Sequence, residues 1–219
     1  MRRFRRAISP SPCAPDGAIL AELALVIYAV YLALAFGLRG WLQWQRTGDT
    51  GFRFGAFSAS TPERAGAFLF VLALALGLAG PALELLGAVA AFETLRAPML
   101  GALLSLAGVA GTLHAQLEMG SSWRVGVDPS ERTTLQTDGP FAWVRNPIFS
   151  WMILTATGLA LLVPNAASTL GCVALVVGIE LHVRLVEEPY LLRVHGEVYA
   201  RWAARTGRFL PGVGRLHPR

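Results

Sequence analysis

Five apolar stretches, each nearly free of charged residues, follow one another along the chain. They cover residues 18–38, 65–91, 98–119, 147–163 and 166–186. A helix needs roughly 20 apolar residues to cross the ~30 Å hydrocarbon core of a bilayer. The strict alternation of apolar and polar residues that marks a half-buried strand is weak throughout. The pattern therefore predicts an all-α, polytopic integral membrane protein with about five transmembrane helices.

Prolines mark two special positions in this pattern. Gly80-Pro81 lies inside the second stretch, where a proline removes a helical hydrogen bond and clashes with the preceding turn, so a kink is expected there. Pro164-Asn165 separates the fourth and fifth stretches and leaves almost no loop between them. These two stretches should therefore form a tight antiparallel hairpin over residues 147–186.

Two further stretches combine apolar and basic residues. Residues 39–64 contain aromatic residues such as Trp41 and Trp44 among arginines, a mixture typical of the membrane interface. Residues 187–206 place apolar residues at helical spacing among arginines. We therefore expect an interfacial loop at 39–64 and a C-terminal amphipathic helix.

The composition agrees with a membrane protein. Of the 219 residues, 54% are hydrophobic and only 15% are charged, against about a quarter in a soluble domain. The 19 basic residues are all arginines that flank the apolar stretches, which favours anionic lipid headgroups over nucleic acid as partners. The two cysteines, Cys13 and Cys172, provide neither a disulfide framework nor a metal-binding spacing.

The arginines also predict how the chain crosses the membrane. Residues 18–38 follow a basic start but are too long for the apolar part of a signal peptide, so we expect a retained helix. With five crossings, most arginines near helix ends share one side with the C-terminal tail, which predicts a cytoplasmic C-terminus in the cell membrane and an outer N-terminus. The arginines at positions 2–6 oppose this assignment.

The candidate chemistry lies near the two ends of the predicted hairpin. Arg145 precedes it, and Glu187-Glu188 follows it. Ionisable groups at membrane depth are costly and tend to mark functional sites, so converging arginines and carboxylates suggest a pocket for a zwitterionic, charged cofactor. Each group also has an alternative interpretation that involves no cofactor. Arg145 would instead extend to lipid headgroups at the interface, and the two glutamates would instead lie at a solvated helix end.

The order of short motifs in this region resembles a known membrane family. Gly139-Pro140-Phe141, Arg145-Asn146-Pro147 with Phe149, the hairpin, Glu187-Glu188, and a final stretch with His195, Tyr199, Trp202 and Arg208-Phe209 follow in that order. This arrangement, over about residues 120–212, is similar to that of the isoprenylcysteine carboxyl methyltransferases, whose C-terminal half is shared with phospholipid methyltransferases. The family usually has histidine where this chain has Asn146, and an amide cannot titrate near neutral pH.

The resemblance implies an all-helical membrane enzyme that binds S-adenosylmethionine from the cytoplasm and methylates a lipophilic acceptor entering from the bilayer. It implies a methyltransferase core at 120–219, preceded by a basic tail at 1–17 and three transmembrane helices at 18–119. The catalytic candidates are Arg145, Glu187 and Glu188. The cofactor-binding candidates are Gly139, Pro140, Arg145, Asn146, Pro147, Phe149, Glu187, Glu188, His195, Tyr199 and Arg208.

Several roles stay open on the sequence alone. His195 would either contact the adenine of the cofactor or lie at the membrane interface. Tyr199 would either contact the cofactor or belong to the belt of aromatic residues at that interface. Arg208 would form a salt bridge with Glu187 or with Glu188. The acceptor is the carboxylate of an isoprenylcysteine-like compound or another lipid group, and the oligomeric state is undetermined. No metal site is expected, since the polar residues of the helices lack paired spacing. The alternative function is a non-catalytic membrane transporter or lipid-binding protein.

Overall fold

The protein is a bundle of long apolar helices. The structure is a computed structural model that describes residues 15–52, 61–123 and 134–216; most of the predicted basic tail and part of the predicted interfacial loop lie outside these ranges. Within them, the helices are α1 (Pro15–Leu32), α2 (Arg39–Thr47), α3 (Thr61–Leu85), α4 (Pro98–Glu118), α5 (Pro147–Leu162), α6 (Ala166–His182) and α7 (Glu188–Ala203). The predicted all-α, polytopic membrane architecture is confirmed.

Two turns of π-helix make some of these helices continuous. Ala33–Leu38 joins α1 to α2, and Val183–Glu187 joins α6 to α7. The predicted interfacial loop therefore begins as helix. Pro189 directly follows Glu187-Glu188, and a proline would break the interior of a helix, but here it lies within the first turn of α7, where it is tolerated. At both π turns the chain continues from one helix directly into the next.

Each of the five predicted transmembrane stretches forms a helix over most of its length. Within the described ranges, four continuous helices are long and apolar enough to cross a membrane, whereas α5 has only 16 residues. At 1.5 Å per residue α5 measures about 24 Å, less than the ~30 Å hydrocarbon core. The second stretch continues as helix through Pro81 and ends at Leu85.

Glycines bring these helices together as two antiparallel pairs. In the pair formed by α3 and α6, a side chain at Gly66 would meet the backbone of Gly178. In the pair formed by α4 and α5, Gly101 lies against Gly158, and a side chain at Gly108 would overlap Thr155. Close backbone approach at small residues is the usual way in which helices associate in a membrane, because lipid provides no hydrophobic force between them.

The hairpin turn between α5 and α6 is held by polar groups at the end of the bundle remote from Arg145. The Asn165 side chain donates to the Gly80 carbonyl at 2.9 Å and accepts from the Ser168 amide at 3.0 Å. Glu84, which is 2% exposed, forms an ion pair with Arg96 at 2.6 Å. The predicted tight hairpin is confirmed, and the ion pair of Glu84 with Arg96 belongs to the polar groups at its turn.

At the opposite end, Arg39 fixes the C-terminal end of α4. Its guanidinium donates to the carbonyls of Gln116, at 3.2 Å, and Gly120, and lies 4.7 Å from the ring centre of Trp123. Cations are favourable at the negative end of a helix dipole. This contact positions the start of the segment that leads from α4 to Arg145.

Candidate functional site

The site is built where the segment before α5 meets the C-terminal tail. Pro147 occupies the first turn of α5, and Phe141 is buried in a short 3₁₀ turn, Gly139–Ala142, before it. The Arg145 amide donates to the Gly207 carbonyl at 2.8 Å, and the Asn146 amide donates to the Arg208 carbonyl at 3.1 Å. These bonds place the tail directly beside the Arg-Asn-Pro corner.

Arg145 ties the tail to this corner. Its Nη1 donates to the carbonyls of Ala203, at 3.0 Å, and Thr206, and its Nη2 donates to the Gly214 carbonyl at 2.9 Å. The residue is 5% exposed, so these bonds form away from water. The guanidinium therefore has a structural role that the sequence did not predict.

Glu188 joins Arg145 and Arg208 into one ion-paired cluster. Its Oε1 accepts from Arg145 Nη2 at 2.6 Å and from Arg208 Nε at 2.9 Å, while its Oε2 accepts from Arg208 Nη2 at 2.9 Å. The hydrogen bonds to this carboxylate raise the pKa of Arg208. A two-pronged arginine pair of this kind is strong and geometrically specific. Of the two pairings expected for Arg208, the structure shows the one with Glu188.

Glu187 has different surroundings from its neighbour. It closes the π turn between α6 and α7, and its Oε2 is buried without a hydrogen-bond partner in the described part of the chain. A buried carboxylate oxygen without a partner is costly and calls for an explanation. Glu187 is thus the carboxylate of the pair that has free capacity to accept a hydrogen bond.

Three other buried polar atoms near this region share that property. Within the described ranges, Arg145 Nε, His195 Nε2 and Trp202 Nε1 also have no hydrogen-bond partner. Tyr199 is 1% exposed, packs edge to face on Trp202, and interacts electrostatically with Arg145 and both glutamates. Tyr199 therefore connects the ion-paired cluster to Trp202 within α7.

The remaining predicted residues occupy the margins of this cluster. Asn146 donates from its side chain to the Arg208 carbonyl at 3.2 Å. Gly139 has φ +57° and lies against Glu118 at the end of α4, which places the Gly139-Pro140 turn on the α4 side of the corner. Phe149 packs against the apolar core and faces His182, with ring centres 6.2 Å apart.

The sequence did not identify Ser150 or the tail carbonyls as parts of this arrangement. Ser150 Oγ donates to the Phe209 carbonyl at 2.7 Å. A small polar residue in the first turn of an otherwise apolar helix is the one sequence feature that could have indicated this contact. Among the residues that the structure describes, no group of three or more His, Cys, Asp or Glu side chains is arranged to hold a metal ion.

Comparisons with known proteins show similarity to membrane methyltransferases. The family model for phospholipid methyltransferases matches residues 96–198, from the start of α4 to the middle of α7. No curated protein sequence shows significant similarity to the chain.

A solved structure has the same fold. It is that of the eukaryotic intramembrane Ras methyltransferase, isoprenylcysteine carboxyl methyltransferase, without a monobody. The TM-score is 0.64 at 18% sequence identity, and the alignment covers 93% of this chain and 70% of the other. The resemblance to membrane methyltransferases that the motifs indicated is confirmed.

Proposed function

We propose that this chain, with its phospholipid methyltransferase region and the fold of an intramembrane methyltransferase, transfers a methyl group from S-adenosylmethionine to a lipophilic acceptor. The observation that carries the proposal is the buried Glu187 carboxylate, which has one oxygen without a partner beside the Arg145–Glu188–Arg208 cluster. When bound, S-adenosylmethionine supplies an electrophilic methyl group on a positively charged sulfonium.

The chemistry of the partnerless atoms fits such a cofactor. Glu187 Oε2 can accept from an ammonium group or a ribose hydroxyl, whereas the Nε–H of Arg145 and the indole N–H of Trp202 can donate to a carboxylate or another acceptor. The His195 ring provides a further partner on α7. The carboxylate also favours a nearby positive charge in this poorly hydrated site.

The two neighbouring glutamates are given different roles. Both oxygens of Glu188 are already hydrogen-bonded to arginines, so we assign it to positioning the tail over the site. We assign cofactor contact to Glu187. Arg145 would contribute through its Nε, because both of its terminal nitrogens are already hydrogen-bonded.

The reaction requires mainly alignment and exclusion of water. Holding two reactants in line provides a large part of the rate enhancement in such a transfer. A carboxylate acceptor is already nucleophilic at neutral pH, whereas an amine or hydroxyl acceptor must lose a proton. In the second case Glu187 is the candidate base, since its free oxygen could accept that proton.

The position of the site favours a lipophilic acceptor. The cluster lies at the start of α5 and at the junction of α6 and α7, next to membrane-spanning helices. A small cavity lined by apolar residues such as Ala73, Met152 and Leu175 lies between α1, α3, α5 and α6, within the membrane-spanning part of the bundle. We place the protein in the cell membrane, with the site facing the cytoplasm.

The proposal is tested by incubating the purified protein, in bilayer nanodiscs, with lipid extracts and methyl-labelled S-adenosylmethionine. We expect mass spectrometry to detect labelled lipids, and we expect Glu187→Gln to reduce their formation strongly. Glu197→Gln, on the exposed face of α7, is the matched control. The absence of labelled product together with the absence of cofactor binding would overturn the proposal in favour of a non-catalytic role.

A further inference from the structure

We propose that the C-terminal turn, residues 207–214, is a re-entrant element that dips into the membrane and contacts lipid acyl chains through Leu210 and Val213. These side chains are 62% and 60% exposed. The proposal rests on the depth of the turn, on the pairing of its first carbonyls within the protein and on its apolar rim. It concerns membrane contact and does not depend on methyl transfer.

The depth follows from the pair formed by α4 and α5. α4 has 21 residues, or about 31 Å at 1.5 Å per residue, and has no Arg, Asp or Glu before Glu118, so it marks the hydrocarbon core. Gly108 of α4 lies level with Thr155 of α5, since a side chain there would overlap the Thr155 backbone.

From that level, α4 continues about 15 Å to Glu118, whereas α5 runs only about 8 Å back to Ser150. Ser150 therefore lies about 7 Å inside the level of Glu118, within the apolar part of the membrane. The Phe209 carbonyl accepts a hydrogen bond from Ser150 Oγ at 2.7 Å, so the C-terminal turn reaches this depth.

The carbonyls at the start of the turn are paired in the way that such a position requires. Irregular backbone at membrane depth is tolerated only where its polar groups are satisfied within the protein or face a water-filled cavity. Each carbonyl from Thr206 to Leu210 accepts a hydrogen bond from within the chain; the donors are Arg145 Nη1, the Arg145 amide, the Asn146 amide and side chain, Ser150 Oγ and the Val213 amide.

The exposed side chains of the turn match the same environment. Phe209 packs inward on the apolar core, whereas Leu210 and Val213 point outward. Trp143 is 71% exposed and directly precedes Val144, which forms a bridge with Gly207. It lies nearer the level of Glu118, at the membrane interface, where tryptophan is typical. The exposed Arg205 and Arg215 flank the turn and suit anionic headgroups above the acyl chains.

The depth of the turn can be measured with a nitroxide label in bilayer nanodiscs. Leu210→Cys would be labelled in a background with Cys13→Ser and Cys172→Ala. Reference labels would be placed at Leu103, an exposed apolar residue of α4, and at Arg201, an exposed residue of α7. Accessibility to dissolved oxygen, which concentrates in the bilayer, would be compared with accessibility to a water-soluble nickel chelate.

We expect the Leu210 label to behave like the Leu103 label, with high oxygen and low nickel accessibility. A label at Leu210 that is as accessible to nickel as the Arg201 label would overturn the proposal. If Leu210→Cys does not fold, Val213→Cys provides the same comparison. Because no cofactor or substrate is present, failure here is distinguishable from failure of the proposed function.

Discussion

Glu187 and Glu188 are neighbours in the chain, yet one has a buried oxygen without a partner and the other is hydrogen-bonded to two arginines. The π turn that ends at Glu187 directs the two carboxylates into different surroundings. This difference separates a residue with capacity for a ligand from a residue that holds the tail. Because the roles differ, substitutions at the two positions should have different consequences.

Substitution of Glu188 should primarily lower stability. Glu188→Gln leaves Arg145 and Arg208 without their shared carboxylate, and breaking a buried ion pair costs about 3–5 kcal/mol. Thermal unfolding in detergent should show a clear decrease in Tm. The control is Arg201→Ala on the exposed face of α7, which should change stability by less than about 0.5 kcal/mol. Equal Tm values for the two variants would contradict the tethering role.

Asn146 occupies the position at which this chain departs from the family that its motifs resemble. Asn146→His should retain substantial methyl transfer, since an imidazole can also donate to the Arg208 carbonyl. Asn146→Leu removes this side-chain donor, but the backbone N–H of residue 146 still donates to the same carbonyl. We therefore expect methyl transfer to be slowed by the equivalent of only about 1 kcal/mol.

The measurement is the rate of methyl transfer against pH for the wild type and both variants. In the wild type, residue 146 should contribute no ionisation step to this pH profile near the usual histidine pKa of about 6.5. A Leu variant with full activity would show that residue 146 does not support the site.

Close packing between α4 and α5 gives a prediction about the scaffold. Gly158→Ala places a Cβ against the Ser105 amide at 2.5 Å, so the helices must move apart at a cost of about 1–3 kcal/mol. Gly37→Ala is the matched control, because no atom lies within 4 Å of a Cβ there. Thermal unfolding should show a lower Tm for the first variant alone, and a similar Tm for both would contradict the close approach.

The crossing pattern predicts that the two ends of the chain lie on opposite sides of the membrane. In the predicted topology α1 and the four helices α3 to α6 cross in alternating directions, and the arginine distribution favours a cytoplasmic C-terminus. Reporter fusions at residues 1 and 219 would decide this. Both reporters on one side would mean that one of the five helices, with α5 as the shortest, does not cross.

The helices could be predicted from the sequence, but the contacts of the site could not. Long apolar stretches dictate helices in a bilayer, since every backbone polar group must be paired there. The choice of Glu188 over Glu187 as the partner of Arg208 depends on the π turn, for which the sequence has no recognisable pattern. The bridge between Val144 and Gly207 joins two irregular segments, and no alternation of residues marks it.

The role of Arg145 was recognised only in part for the same reason. Its place near the carboxylates across the predicted hairpin indicated a pocket for a charged cofactor. The structure instead directs its terminal nitrogens to tail carbonyls and to Glu188, groups that lie more than 40 residues away in the chain. Such long-range pairing arises from the packing of the tail, which local sequence does not encode.

The central claim is that Glu187 belongs to a cofactor site, and calorimetric titration of S-adenosylmethionine into the protein in nanodiscs tests it most directly. Saturable binding is expected for the wild type and for Glu197→Gln. Glu187→Gln should weaken binding about ten- to a hundredfold, since a charge-assisted hydrogen bond contributes about 1.5–3 kcal/mol, while Tm stays unchanged. Absence of binding by the folded wild type, or equal affinity in Glu187→Gln, would contradict the account.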